Sequence, residues 1–112
     1  MKVKMLLETL PVRLETKQEK LDQPITGVYC GDLLSWVMSH AKEGNIWLTI
    51  QGHINIIAVA SLIGIPAIIV VEGSVVDEEV ISKANEEGIA ILTTKKTAYE
   101  IASLCNELKI GC

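Results

Sequence analysis

The chain contains no phenylalanine, and its aromatic residues are Tyr29, Trp36, Trp47 and Tyr99 alone. Its core must therefore be built from aliphatic side chains. It also lacks an apolar run of membrane-spanning length. The hydrophobic stretches are cut by Gln51, His53, Asn55, Gly64 and Pro66, so no span of about 20 residues fits and no membrane partner is expected. The opening MKVKMLLETL has two lysines and a short apolar run, but Glu8 follows without a small-residue cleavage site, which argues against a secretory signal. Basic charge is scarce: 10 Lys and Arg against 14 Asp and Glu leave a net charge of −4. Lys17 with Lys20 and Lys95 with Lys96 form only local pairs, so a nucleic-acid partner recognised through its phosphates is not expected. Cys30, Cys105 and Cys112 are irregularly spaced, with no CxxC or Cys/His grouping. No metal site is expected from them, and reduced thiols in a cytoplasmic protein are the default reading. GxxxxGK[ST] is absent, so no phosphate-binding P-loop is encoded, and no cofactor is implied.

What is present points to one α/β domain spanning residues 1–112. Hydrophobic residues make up 49% of the chain, enough for most secondary structure to be covered on both faces. Val3, Leu6, Leu7 and Leu10 share a helical face, Pro11 ends that helix, and residues 12–16 alternate with strand period. Residues 17–24 read as a polar loop and 25–29 as a short strand. Asp32 is placed to cap a helix from Leu33 to about Lys42, with Gly44 near its C-cap. Ile46–Ile50, Ala67–Val71 and Ile89–Thr93 read as buried strands, separated by helices over 54–63 and from Ser74 to Glu87. Ser74-x-x-Asp77 and Thr97-x-x-Glu100 both resemble capping boxes, the second opening a helix to about Leu108. The order β-α-β-α-β-α from Ile46 onward, with tight loops, calls for parallel strands and right-handed crossovers. A three-layer α/β/α arrangement with a mostly parallel sheet is the expected fold.

Between the apolar runs 46–50 and 54–63 sits Gln51-Gly52-His53, followed by Asn55. Polar residues at the carboxyl end of a central strand, leading into a helix N-terminus, mark the usual position of ligands in α/β domains. Gln51, Gly52, His53 and Asn55 are therefore candidate ligand-binding residues, together with Gly73 at the next strand end and Asp32 in the preceding turn. The alternative is that Gln51, His53 and Asn55 cap the helix and tie neighbouring loops, and that Asp32 is an N-cap. His53, Asp32 and Cys30 are the residue types of a nucleophile system, but no nucleophile elbow surrounds them, and no catalytic residues are assigned.

The segments GDLLSWVMSHAKEGNIWLTIQGHINIIAVASLIGIPAIIVVEG, DEEVISKANEEGIAILTT and AYEIA resemble the DRTGG domain, from about Leu6 to Leu108. That module is found beside CBS domains in some pyrophosphatases and within long phosphotransacetylases, and it is similar in fold to the N-terminal domain of HPr kinase/phosphorylase. Gly52-His53 stands where the family tends to have Asp-Arg, and Val71-Glu72-Gly73 where it tends to have Thr-Gly-Gly. Loss of the arginine removes the forked donor best suited to an anion. DLLSxVM and the TxQxHxN-like turn are closer to short stand-alone members, some expected near redox genes. A phosphate- or nucleotide-binding role therefore does not carry over from the family, and the expected function is a non-catalytic regulatory or ligand-sensing module whose small effector, with nucleotides and phosphorylated metabolites among the options, binds at the carboxyl rim of its sheet. A second reading is an assembly protein docking on a redox enzyme. The helix LLSWVM is apolar on more than one face, so Trp36 is a candidate interface residue, Trp47 a candidate extension of the same patch, and a homodimer the expected assembly.

Overall fold

A computed structural model describes residues 1–17 and 21–110. Part of the expected polar loop at 17–24 therefore lies outside the described residues, as does Cys112. The elements follow in the order α1 (Val3–Thr9), β1 (Arg13–Leu14), β2 (Gly27–Cys30), α2 (Leu34–His40), β3 (Asn45–Thr49), α3 (Asn55–Ile63), β4 (Ala67–Val70), α4 (Glu78–Glu87), β5 (Ala90–Thr93) and α5 (Ala98–Glu107). They form a five-stranded sheet of order β1-β5-β4-β3-β2. β2 to β5 run parallel, and β1 lies antiparallel on β5 through Arg13↔Thr93 and Leu14↔Leu92.

Alternation along each central strand divides the core in two. Ile46, Leu48, Ala67, Ile69, Ala90 and Leu92 pack on one face with Val3 and Leu6 of α1 and Ile101 and Cys105 of α5. Trp47, Ile68, Val70 and Ile91 pack on the other with Val37 of α2, Ile56 and Ile57 of α3, and Val80 and Ala84 of α4. This is the α/β/α sandwich expected for strands that read as continuous apolar runs, because a parallel sheet covered on both faces leaves no solvent side for polar alternation. Register aligns the layers: Leu48 pairs with Ile69 and Ile69 with Leu92, while Trp47 pairs with Ile68 and Ile68 with Ile91. Each such fully buried aliphatic side chain contributes roughly 1.5–3 kcal/mol of transfer free energy, so this small-aliphatic core replaces the aromatics that the chain lacks.

Helix ends follow local chemistry with three departures from expectation. Thr97 and Glu100 form the capping box of α5, with the Thr97 hydroxyl accepting from the Glu100 amide at 3.1 Å and the Glu100 carboxylate accepting from the Thr97 amide at 3.0 Å. Gly64 and Gly88 close α3 and α4 in the left-handed region. Asp32, however, does not cap α2. The helix starts one residue later, after Leu33, without a side-chain cap, because the Asp32 carboxylate is engaged by the end of β3. Gly44 is likewise no C-cap: α2 ends at His40 with Ala41 as its C-cap, and Gly44 turns into β3 at φ +86°, where its backbone bridges Thr26 and Gly64. Ser74 opens no capping box, since Glu72 and Gly73 both adopt positive φ and hold the chain in a turn closed by Ser74 N–H to Val71 O, so that α4 begins only after Asp77. No helix among the described residues is long and apolar enough to cross a membrane.

Candidate functional site

The direction in which each connection leaves the sheet decides where a cleft can open. The chain leaves β2, β3 and β4 toward the layer containing α2, α3 and α4, but it leaves β5 toward the layer containing α1 and α5. Successive connections therefore diverge only between β4 and β5, the kind of switch point at which open α/β sheets bind ligands outside their carboxyl ends. A cleft of about 660 Å³ lies there, between the β4–α4 turn (Gly73, Ser74, Val75), the β5–α5 turn (Thr94, Lys95, Lys96) and β1 with its lead-in.

Its walls are held by hydrogen bonds that cross the switch point. Glu72 N–H donates to Lys96 O at 2.8 Å and Gly73 N–H to Thr94 O at 2.9 Å, joining the two turns. On the β1 side, the buried Thr94 hydroxyl donates to Pro11 O at 2.9 Å, and Thr93 Oγ1 donates to the Glu15 carboxylate at 2.7 Å. The floor is thus threonine-stapled, and the rim carries Arg13, Lys95 and Lys96 against the single carboxylate of Glu15. Arg13 pairs with Glu15 at 3.6 Å, and Lys96 reaches Glu100 at 3.8 Å. In a chain of net charge −4 this is a local cationic excess, suited to an anion.

The sequence-predicted residues fall elsewhere on the same rim, with one exception. Gly73 lines this cleft. Asp32 lines a second cleft of about 310 Å³ with Cys30, Thr49, Glu72 and Ala98. Its Oδ1 accepts from Thr49 Oγ1 at 2.7 Å and from Ile50 N–H at 2.9 Å. Gln51 Nε2 donates to Asp32 O at 3.1 Å. Exposed His53 uses Nδ1 to accept from Asn55 N–H at 3.2 Å, satisfying a donor at the start of α3. Gly52 is pressed against the β4–α4 turn, where a Cβ would overlap the Val75 carbonyl oxygen. None of Gln51, Gly52, His53 and Asn55 lines either cleft. Of the β3–α3 connection only its first residue, Ile50, lines the second cleft. Arg13, by contrast, was not among the candidates: its strand has only two residues, and nothing in the sequence reveals that it pairs with β5.

The remaining candidates separate clearly. Trp36 is 58% exposed and stacks on His40, with ring centroids 4.3 Å apart and planes 17° from parallel. Trp47 cannot extend that patch. It is fully buried in the α2–α3–α4 layer, and its Nε1 donates to Gly31 O at 2.8 Å. Cys30 stands at the exposed end of β2, its thiol pKa raised by partial burial of the sulfur and by the Asp32 carboxylate. Burial, with a smaller contribution from Cys30, pushes the Cys105 thiol up to about 11. Among the described residues, no group of three or more His, Cys, Asp and Glu could hold a metal ion.

The elements thus define an open α/β/α sandwich with a cleft at its switch point. The sequence profile of the DRTGG domain family matches residues 9–108. The chain belongs to that family. It is also similar, with a TM-score of 0.70 and 18% identity, to a crystal structure of the CBS and DRTGG domains of the regulatory region of Clostridium perfringens pyrophosphatase, complexed with the activator diadenosine tetraphosphate. The match covers 91% of this chain and 44% of that one, so the chain spans less than half of that regulatory region, and the likeness is one of fold. Comparison with curated protein sequences gives no significant match.

Proposed function

We propose that this chain is a non-catalytic regulatory module that senses a small anionic ligand, a nucleotide or phosphorylated metabolite, at the carboxyl rim of its sheet. The supporting observation is the coincidence of the switch-point cleft with the cationic trio Arg13, Lys95 and Lys96. Apolar Pro11, Val12 and Val75 offer a wall for the uncharged part of such a ligand, and the hydroxyls of Ser74 and Thr93 offer polar contacts. The family membership and the regulatory setting of the pyrophosphatase relative favour the same reading. Binding would act by a population shift, favouring whichever arrangement of the β4–α4 and β5–α5 turns fits the ligand.

Thermal unfolding with ATP, diadenosine tetraphosphate and pyrophosphate tests this reading. A ligand at 100 times its dissociation constant stabilises the folded state by about 2.7 kcal/mol. The stabilisation is expected to vanish in Arg13→Ala/Lys95→Ala and to persist in His53→Ala/Asn55→Ala. Loss only in the second pair moves the site to the β3–α3 turn. A flat response of the wild-type chain to every anion counts against the proposal.

A further inference from the structure

The opposite end of the sheet from the cleft has a different character. β2 is an edge strand, with β3 on one side and no strand on the other among the described residues. Its sequence, Gly27-Val28-Tyr29-Cys30, contains no lysine, glutamate or proline, the residues by which exposed edges are usually protected from pairing. The following crossover helix packs α3 on one side and is free of acidic and basic side chains other than His40 over residues 33–41. Leu33 is 66%, Trp36 58% and Met38 48% exposed there. The Trp36 ring is held in place by its stack on His40, whose Nδ1 lies 2.9 Å from Trp36 O and 2.8 Å from Ser39 Oγ.

From these observations we infer that the β2 edge and α2 together form the face on which a second copy of this chain docks, about a two-fold axis. Charge selects the occupant. Two copies of a chain carrying −4 repel wherever acidic faces meet, and 21% of its residues are charged, so a nine-residue stretch without carboxylate, lysine or arginine is where like copies can approach. Symmetry selects the geometry. An edge strand related to its own copy by a two-fold axis perpendicular to the sheet meets it antiparallel, joining the two five-stranded sheets into one of ten. Leu33 and Trp36 share one flank of α2 and place on the order of 250 Å² of apolar side-chain surface within an interface whose standard size is roughly 800 Å² per partner. Trp36 is the anchor, a pre-positioned aromatic of the type that dominates interface energetics.

Light scattering of the purified chain tests this directly. The wild type should give twice its 12.2 kDa mass at about 100 µM and fall toward monomer on dilution. Trp36→Asp should raise the dimer dissociation constant roughly 30-fold or more, whereas Leu62→Asp, at an exposed position of α3, should leave it unchanged. Fluorescence provides a variant-free readout, because Trp47 is buried in the monomer and only Trp36 should red-shift as the dimer dissociates. A monomeric wild type at 100 µM overturns the inference and leaves the face to a different protein. A dimer that persists in both Trp36→Asp and Leu33→Asp, or that dissociates without a change in Trp36 emission, overturns it equally.

Discussion

The Asp32 carboxylate joins two turns of the rim: its Oδ1 lies 2.7 Å from the hydroxyl of Thr49 and 2.9 Å from the amide of Ile50. Thr49 is only 1% exposed, so its hydroxyl has no water to fall back on. Asp32→Ala leaves that donor unmatched and should destabilise the chain by about 2–3 kcal/mol in urea denaturation. Asp32→Asn keeps an acceptor oxygen and should cost less than half as much. In a Thr49→Val background the Asp32→Ala change should be much milder, since the buried hydroxyl is gone. Equal costs in both backgrounds would mean that Asp32 and Thr49 act independently.

A second prediction concerns the start of α5. The Glu100 carboxyl is held below the usual carboxylate range, first by the Thr97 amide, then by the Thr97 hydroxyl and nearby Lys96. A depressed folded-state pKa contributes stability above the unfolded value and loses it as pH falls through the folded one. Thr97→Ala should cost about 1 kcal/mol at neutral pH. Its penalty should shrink as pH is lowered below the ordinary glutamate range, where the carboxyl is protonated in both proteins. A penalty that stays constant down to pH 2 would show that the capping box contributes no charge-dependent stability.

The fold was legible in the sequence because its strongest signals are local. Three apolar runs with Gly64-Ile65-Pro66 and Gly88 as punctuation specify parallel strands and crossovers, and the Thr97 capping box specifies where α5 begins. The candidate site was legible only as a rim. Which turn on that rim opens into a cleft depends on the face each connection takes, and that is settled by whether the following helix buries its stripe with α1 or with α3. Gly73 was visible as a rim position, whereas Arg13 reaches the cleft through a two-residue antiparallel pairing that leaves no periodic trace. Trp47 was misplaced for a related reason: a tryptophan beside an exposed one in sequence space sits in β3, whose side chains point alternately into two closed layers.

The cysteines should differ in reactivity. Cys105 is 2% exposed on α5, and its thiol is raised to about 11, whereas Cys30 is exposed at the strand edge. Iodoacetamide at pH 8, followed by peptide mass analysis, should modify Cys30 well before Cys105. A raised folded-state pKa also makes stability fall with rising pH, starting at the unfolded thiol value near 9.0 and continuing to about 11. Cys105→Ala should flatten that alkaline decline while lowering stability at neutral pH through the small cavity it leaves. Equal alkylation rates at the two positions in the folded chain would contradict this ordering.

Two rim glycines should fail for opposite reasons. Gly73 has φ +68°, which an L side chain adopts only under strain, yet a Cβ there would meet nothing closer than Lys95 Cγ at 3.9 Å. Gly73→Ala should therefore cost about 1–2 kcal/mol, the price of the left-handed conformation alone. Gly52 needs no positive φ, but its Cβ would overlap the backbone oxygen of Val75, and a backbone atom cannot rotate aside as a side chain can. Gly52→Ala should cost about 3 kcal/mol, at the upper end for overpacking, and should displace the β4–α4 turn that walls the cleft. Anion-induced stabilisation should accordingly weaken in Gly52→Ala, although Gly52 does not itself line the cleft. If Gly73→Ala were instead the more destabilised of the two, contact between the β3–α3 and β4–α4 turns could not be what fixes the cleft wall.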